Sequence, residues 1–548
     1  MPALPTKKYS ILELMRILQR ISLLAISIIC TQFVLALDII PYPLQVETRP
    51  GVFNLSPSTI VLYSSNCRQE ADFLRDILDK EHHLQIPAKP YKSPVAAGTV
   101  VLTVDATLTA RLGKEGYDLT AGESKIQVRA ATPTGIFYAI QTLRQLITNG
   151  SAVPCCHIFD KPRFAWRSFM LDEGRYFKGE QVVKQLLDEM ALLKMNIFHW
   201  HLTDDHGWRI EIKKYPLLTT IGSKRDSSQT GVWPSGWSST VYDGVPHEGA
   251  YTQQQIKDII RYAAYRHITI VPEIEMPGHA SAAIAAYPFL GAEGKQIRVP
   301  VKFGVQYNIY NVADPKVLTF IHDVLQEVMT LFPSKIIHIG GDEVRYDQWK
   351  NSPQVLAYMQ RQGLASPADL QISFTNDISN YLTAHHRRMM GWNEILGGKV
   401  HEFNDNQDVV ARRQLSHDAI IQFWKGDTNL IIKAAAAGYD IVNSLSDDTY
   451  LDYDDKSISL EKAYSFEPIP ASLPQRDTTR VLGLGCQMWG EWIPTVESMD
   501  QHVYPRLAAY AEVGWTSRPN KDLNRFMAGL PALEARWTGE GIHWSAAK

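Results

Sequence analysis

The stretch KIIHIGGDEVRYDQW, Lys335–Trp349, sets Asp342 and Glu343 side by side behind two glycines and a run of β-forming residues. Cleavage of a glycosidic bond usually takes two carboxyl groups. One protonates the leaving oxygen; the other attacks the anomeric carbon or activates water. Adjacent residues on a strand face opposite ways. The two acids can therefore share a pocket only if the chain leaves the strand at Gly340 and Gly341, where glycine makes a bend or a close backbone approach easy. Neighbours are still poorly placed to act from opposite faces of one bond. The pair is better suited to a different division: an acid beside a carboxylate that steadies a nucleophile carried by the substrate.

Positioning such a pair needs a scaffold, and the chain offers one from Phe164 onward. Short apolar segments read as strands at 164–172, 195–202, 268–276, 335–342, 388–394, 419–424, 439–444 and 481–489. Helical stretches such as 179–194 and 252–266 lie between most of them. Regular alternation of strand and helix over this length predicts an α/β fold, a (β/α)8 TIM barrel with loop insertions. In that fold the active site gathers where the strands end. The expected ends carry Asp172 and Arg175; His199, His201, Asp204 and Asp205; Glu273, Glu275 and His279; Asp342 and Glu343; Trp392 and Glu394; Trp424; Tyr450 and Asp452; and Trp489 and Glu491. Aromatic walls with a few convergent carboxylates suit a sugar site. Two histidines two residues apart face one way on a strand, so His199 and His201 also raise zinc. The other ends bring mainly tryptophan and carboxylates, with only His279 and no thiolate, so no metal or other cofactor is expected.

Ahead of the barrel, residues 38–160 read as a small α/β domain. Gly98–Asp105 and Ser124–Thr132 alternate like strands, and Thr132–Ile147 has helical spacing. Residues 1–37 read as a secretory signal peptide. They have a basic start at Arg16 and Arg20, an apolar stretch from Ile21 to Ile29 and small or apolar residues up to Ala36. The expected destination is periplasmic or extracellular. The catalytic unit is assigned to 161–548. A formal charge of −3 gives no reason to expect nucleic acid, or a membrane beyond the export signal. Five cysteines, one inside the signal and none in metal-type spacing, predict a protein held by its core rather than by disulfides.

Taken in order, DEGRYF, FHWHLTDDHGWRIEI, VPEIEMPGHA, HIGGDEV, GWNEIL and QMWGEW resemble the motifs of the glycoside hydrolase family 20 β-N-acetylhexosaminidases. The small α/β unit is similar to that family's N-terminal domain, and YPRLAAYAEVGW to its last helix. His206 stands where many members of that family carry glutamine. The resemblance implies an exo-acting enzyme that releases terminal β-linked GlcNAc or GalNAc with retention, the substrate's own 2-acetamido oxygen attacking the anomeric carbon to give an oxazolinium. It implies Glu343 as general acid and then base, with Asp342, kept ionised, orienting the acetamide N–H. It implies Trp392, Trp424 and Trp489 as walls around the acetamide and Tyr450 as the donor to its oxygen. Arg175 and Glu491 would clamp the 3- and 4-hydroxyls, and Asp452 would contact the 4- or 6-hydroxyl. Asp204 and His279 would touch the sugar or brace the acid. Two other readings stay open on this scaffold: disaccharide release of the lacto-N-biosidase type, and a catalytically inactive sugar-binding protein. The loop Gly222–Glu248 is expected to build the outer part of the site. The partner implied is a glycan or oligosaccharide ending in N-acetylhexosamine, and the family resemblance leaves a homodimer open.

Overall fold

The computed structural model describes residues 37–92, 95–148 and 150–546. The expected export signal falls outside them but for its last residue. Eight parallel strands close into a barrel: Trp166–Asp172, Ile197–His201, Thr269–Glu273, Ile336–His338, Arg388–Trp392, Ile420–Phe423, Asp440–Asn443 and Val481–Met488, the last pairing back onto the first. They lie within the eight segments expected from apolar patterning. All eight are shorter, because several of the expected residues belong to the loops that carry the chemistry.

One layer of the barrel interior takes an apolar side chain from every strand. Trp166, Ile197, Val271, Met390, Ile420 and Val442 pack together, with Ile336 and Leu482 against them. Toward the carboxyl ends of the strands the inward positions turn polar, with His199, His201, Glu273, His338 and Gln422 all buried. The sheet is therefore plugged by hydrophobic packing on one side and carries charge on the other.

The helices between strands show why the sequence puts them there. Glu180–Leu192 buries Val183, Leu186, Leu187 and Met190, one stripe at helical spacing. Gln253–Ala264 starts with a capping box in which Thr252 and Gln255 satisfy each other's backbone donors. The segment expected as the last helix is Arg506–Trp515, but a further helix, Leu523–Gly539, follows it and packs Trp537 and Phe526 inward.

The N-terminal sheet has seven strands, in the order Gln45–Asn54, Ala152–Asp160, Tyr117–Gly122, Lys125–Ala130, Thr99–Val104, Ile60–Tyr63 and Ala88–Pro90. Helices Arg68–His82 and Pro133–Leu146 accompany it. The described residues from Asp38 onward pack as one unit. Sheet and barrel are pinned by Arg167, whose guanidinium pairs with Glu115, and by the buried pair of Lys194 and Asp160, 3.1 Å apart. Cys67, Cys155, Cys156 and Cys486 are buried free thiols.

Candidate active site

The fourth strand stops at His338, and the chain peels away through Gly340 at φ +65° and Gly341 at φ +91°. A Cβ on Gly340 would come within 1.7 Å of Glu275 Oε2, so the close approach itself requires glycine. Glu343 follows in the left-handed region at φ +51°, and His279 sits there too at φ +46°. Each costs on the order of 1 kcal/mol or more, strain of a kind that clusters at functional sites. Leaving the strand lets the adjacent acids reach one place: His279 Nε2 lies 3.6 Å from Asp342 Oδ2 and 3.6 Å from Glu343 Oε2.

Around them lies a cavity of about 230 Å³ at the carboxyl ends of the strands. Of the residues nominated from sequence, Arg175, Asp204, His279, Asp342, Glu343, Trp424, Tyr450, Asp452, Trp489 and Glu491 line it. Trp392 does not. It stands behind the lining, 1% exposed, with its ring 5.8 Å from Trp489 and 6.5 Å from Trp424 and its Nε1 donating to Glu273 Oε1 at 2.8 Å. Trp424 and Tyr450 lie nearly parallel, 6.0 Å apart at 6°. Trp424, Tyr450 and Trp489 make an aromatic recess beside the acids, with Trp392 behind it.

Six further lining residues were not nominated: His201, Trp233, Trp237, Glu275, Lys425 and Tyr453. His201 and Glu275 stood at expected strand ends, and Trp233 and Trp237 come from the Gly222–Glu248 loop expected to extend the site. Trp233 stacks on Tyr453 at 4.1 Å and 14°. Lys425 and Tyr453 each follow a residue the motifs did mark.

Charge is arranged by pairs. Arg175 reaches Asp204 at 3.0 Å, Asp172 at 3.3 Å and Glu491 at 3.6 Å, with its guanidinium carbon 5.1 Å from the Trp489 ring centre. Burial alone raises the Asp204 carboxyl, but Arg175 and His279, with His201 and His206, hold it well below the usual range. His206 Nδ1 is 3.2 Å from Asp204 Oδ1, and its Nε2 donates to the Lys302 carbonyl at 2.8 Å, so the residue that departs from the family pattern orients Asp204. The closer partner of His279 Nδ1 is Asp205 Oδ2 at 3.1 Å, with Asp204 Oδ2 at 3.5 Å. Asp205 also accepts from the Ser281 N–H. The sequence offered both aspartates with nothing to rank them. Burial works against a charged His279, yet Asp204, Asp342 and Asp205 raise it well above the ordinary imidazole value.

Burial pushes the Asp342 carboxyl up, His279 pulls it back, and Glu394, Glu343 and Glu273 add to the rise, leaving it at about 8. The family resemblance implies an ionised Asp342. Burial first, and then the three carboxyls around it, favour its protonated form near neutrality against the opposing pull of His279. Glu275 beside it is also pushed well up by burial and by Asp342.

The imidazoles that raised zinc converge on a carboxylate. Glu273 Oε2 lies 2.6 Å from His201 Nδ1 and 2.9 Å from His199 Nε2, and Oε1 lies 2.9 Å from His338 Nδ1. His201 and Trp392 hydrogen-bond to Glu273, which is a buried hub beneath the pocket.

Comparison with known proteins bears on this arrangement. Residues 164–518 match the model for glycosyl hydrolase family 20, catalytic domain, and residues 36–161 the model for domain 2 of that family. A beta-hexosaminidase of Porphyromonas gingivalis is 34% identical over 535 residues, 93% of this chain and 64% of the relative. One of Vibrio furnissii is 34% identical over 500 residues, 87% of this chain and 76% of the relative. The chain thus spans just under two thirds of the first relative's length. Among solved structures, a GH20 exo beta-N-acetylglucosaminidase of Vibrio harveyi in complex with N-acetylglucosamine superposes with a TM-score of 0.79 at 30% identity, covering 93% of this chain and 78% of that one.

Proposed function

Because the chain belongs to glycosyl hydrolase family 20, we propose that it is an exo-acting β-N-acetylhexosaminidase, cleaving terminal non-reducing β-linked GlcNAc or GalNAc with retention. One observation carries the reading: Asp342 and Glu343 meet the same imidazole, 3.6 Å from each, at the edge of a recess walled by Trp424, Tyr450 and Trp489.

The sugar enters with its hydroxyls against Arg175, Glu491 and Asp452 and its 2-acetamido group in the aromatic recess. Arg175 supplies planar donors, and the Glu491 carboxylate accepts. The recess excludes water from the amide and holds it in attack geometry. Positioning of this kind is worth several kcal/mol, with about 7–11 as the upper range for well-oriented intramolecular reactions. Asp342 accepts from the acetamide N–H. As the carbonyl oxygen closes on the anomeric carbon, positive charge spreads over the forming ring, and Asp342 offsets it as a carboxylate, its proton having passed to bulk water as the acetamide N–H docks. An acid held at about 8 by burial and by the carboxyls around it is thus poised to ionise when the reaction places a cation beside it.

Glu343 gives its proton to the glycosidic oxygen as the bond breaks. It then takes one from the water that opens the oxazolinium at the same face, which returns the β configuration. His279, itself held by Asp205, fixes the carboxyl of Glu343 through both half-reactions. Releasing a disaccharide would require the second sugar to pass beyond Arg175 and Glu491, whose ion pair stands in that path. The basic and apolar character of residues 1–37 supports export as part of the same proposal.

The test is turnover of p-nitrophenyl β-GlcNAc and of the matching β-glucoside. Cleavage of the first with near inertness on the second, and strong inhibition by N-acetylglucosamine thiazoline, is the expected result. No turnover on either marks a sugar-binding protein. Comparable rates on both mark a carboxylate nucleophile.

A further inference from the structure

Behind the fifth strand, the segment from Gly397 onward carries no family motif, yet it brings a second imidazole to the acid. His401 is 4% exposed. Its Nε2 faces Glu394 Oε1 at 2.7 Å, and its Nδ1 lies 3.9 Å from Glu343 Oε1. His279 addresses the other oxygen, Glu343 Oε2. Each oxygen of the acid therefore faces an imidazole whose far nitrogen meets a carboxylate: Asp205 behind His279, Glu394 behind His401.

The ring of His401 is fixed in plane. It stacks on Phe403 at 4.8 Å and 13°, Phe403 is capped by the Arg345 guanidinium at 4.7 Å, and Arg345 in turn covers Tyr307 at 4.3 Å. Arg345 is two residues after Glu343, so the column ties this segment to the loop that holds the acid. On the other side, Glu394 accepts from Trp424 Nε1 at 2.9 Å, which couples His401 to the wall of the recess. A column of this kind has no need of a histidine for packing alone. The histidine is the member that offers a nitrogen to Glu343.

We propose that His401 is a positioning residue for the acid, its Nδ1 holding the carboxyl of Glu343 and Glu394 setting its tautomer. The inference rests on the reading of Glu343 as general acid. With Nε2–H given to Glu394, the Nδ1 lone pair is turned to the acid. A separation of 3.9 Å is long for a hydrogen bond, and catalytic contacts of this sort tighten when substrate closes the site. His401 neither gains nor loses a proton over the cycle: its Nδ1 accepts from Glu343 Oε1–H while the acid is protonated, that proton passes to the glycosidic oxygen, and the lone pair then facing the bare carboxylate favours its reprotonation by the attacking water.

The test compares two substrates on the full chain. Chitobiose needs its leaving oxygen protonated; 2,4-dinitrophenyl β-GlcNAc does not. His401→Phe should lower kcat on chitobiose by about 10- to 100-fold, the usual cost of losing an outer-shell partner, with KM near wild type and with dinitrophenyl turnover nearly unchanged. His401→Asn, whose amide stands where Nδ1 stood, should recover part of the loss. His401→Gln, whose amide stands where Nε2 stood, should not. An equal fall on both substrates, no fall at all, or equal behaviour of the Asn and Gln variants overturns the inference. If His401→Phe fails to fold, the Asn and Gln pair carries the decision. Glu343→Gln is the control: if it too spares chitobiose, the reading of the acid falls; if it behaves as an acid knockout while His401→Phe does not discriminate, only the present inference falls.

Discussion

Two buried polar clusters in this molecule answer to different demands. At the seam between sheet and barrel, Asp160 accepts from Tyr117 at 2.6 Å, Lys194 at 3.1 Å, Trp515 at 2.9 Å and the Leu44 N–H at 3.0 Å. Both carboxyl oxygens are used, and Tyr117 is shared with Thr142. At the mouth of the barrel, Asp342 Oδ1, Asp452 Oδ1, both oxygens of Glu275, Arg175 Nε and Trp489 Nε1 are buried and meet no protein partner. Buried polar atoms are nearly always hydrogen-bonded. A cluster saturated by its own fold is joinery; one whose acceptors and donors converge on a recess is arranged for a ligand. The first should govern stability and the second turnover, and substitutions can be chosen to separate them.

The largest effect belongs to the acid. Glu343→Gln should lower kcat on chitobiose by about 10²- to 10⁴-fold, the range for general acid catalysis, while the melting temperature holds. A loss of thermal stability matching the loss of turnover would erase the contrast. At the seam, Lys194→Met leaves Asp160 buried and uncompensated. The cost should be about 3–5 kcal/mol of unfolding free energy, read by urea titration, with KM on p-nitrophenyl β-GlcNAc unchanged in whatever remains folded. A shifted KM would mean the seam reaches the pocket. Smaller again is Glu491→Gln, which weakens a charged hydrogen bond to a sugar hydroxyl. About 1.5–3 kcal/mol should go from kcat/KM, and the loss should shrink on an analogue lacking the 4-hydroxyl; an undiminished loss there would detach Glu491 from the sugar.

The subtlest comparison is in pH. Asp342 binds its proton more tightly in the fold than in the open chain, since its value rises to about 8. The stability this lends is fully present below about 4, the unfolded range, and is lost as pH rises through the folded value. Asp342→Asn has no such loss. Its melting temperature should therefore pull ahead of the wild type between pH 4 and 8 and keep a constant lead above that, a stabilisation accompanied by lost activity. A lead that narrows with rising pH would reverse the sign of the argument.

Much of this arrangement is legible in the sequence. The eight strands announced themselves because each is a short apolar run between amphipathic helices, and the pair at 342–343 announced its bend through Gly340 and Gly341. What was hidden was set by geometry across sequence distance. Asp205 and Asp204 are chemically alike, and only the approach of His279 ranks them. Trp392 carries the right ring on the right strand but is held behind the lining by Glu273. His401 lies in a segment with no motif, and only folding brings it to Glu343. Two strands of the N-terminal sheet, Gln45–Asn54 and Ala88–Pro90, are largely exposed and lack the burial that would reveal them.

The central claim, that the acetamido oxygen of the sugar is the nucleophile, is tested most directly by kcat for aryl glycosides bearing acetamido, fluoroacetamido, difluoroacetamido and trifluoroacetamido groups at C2. Each fluorine draws electron density from the carbonyl oxygen, so kcat should fall steeply along the series. A flat series would mean that some protein group attacks instead.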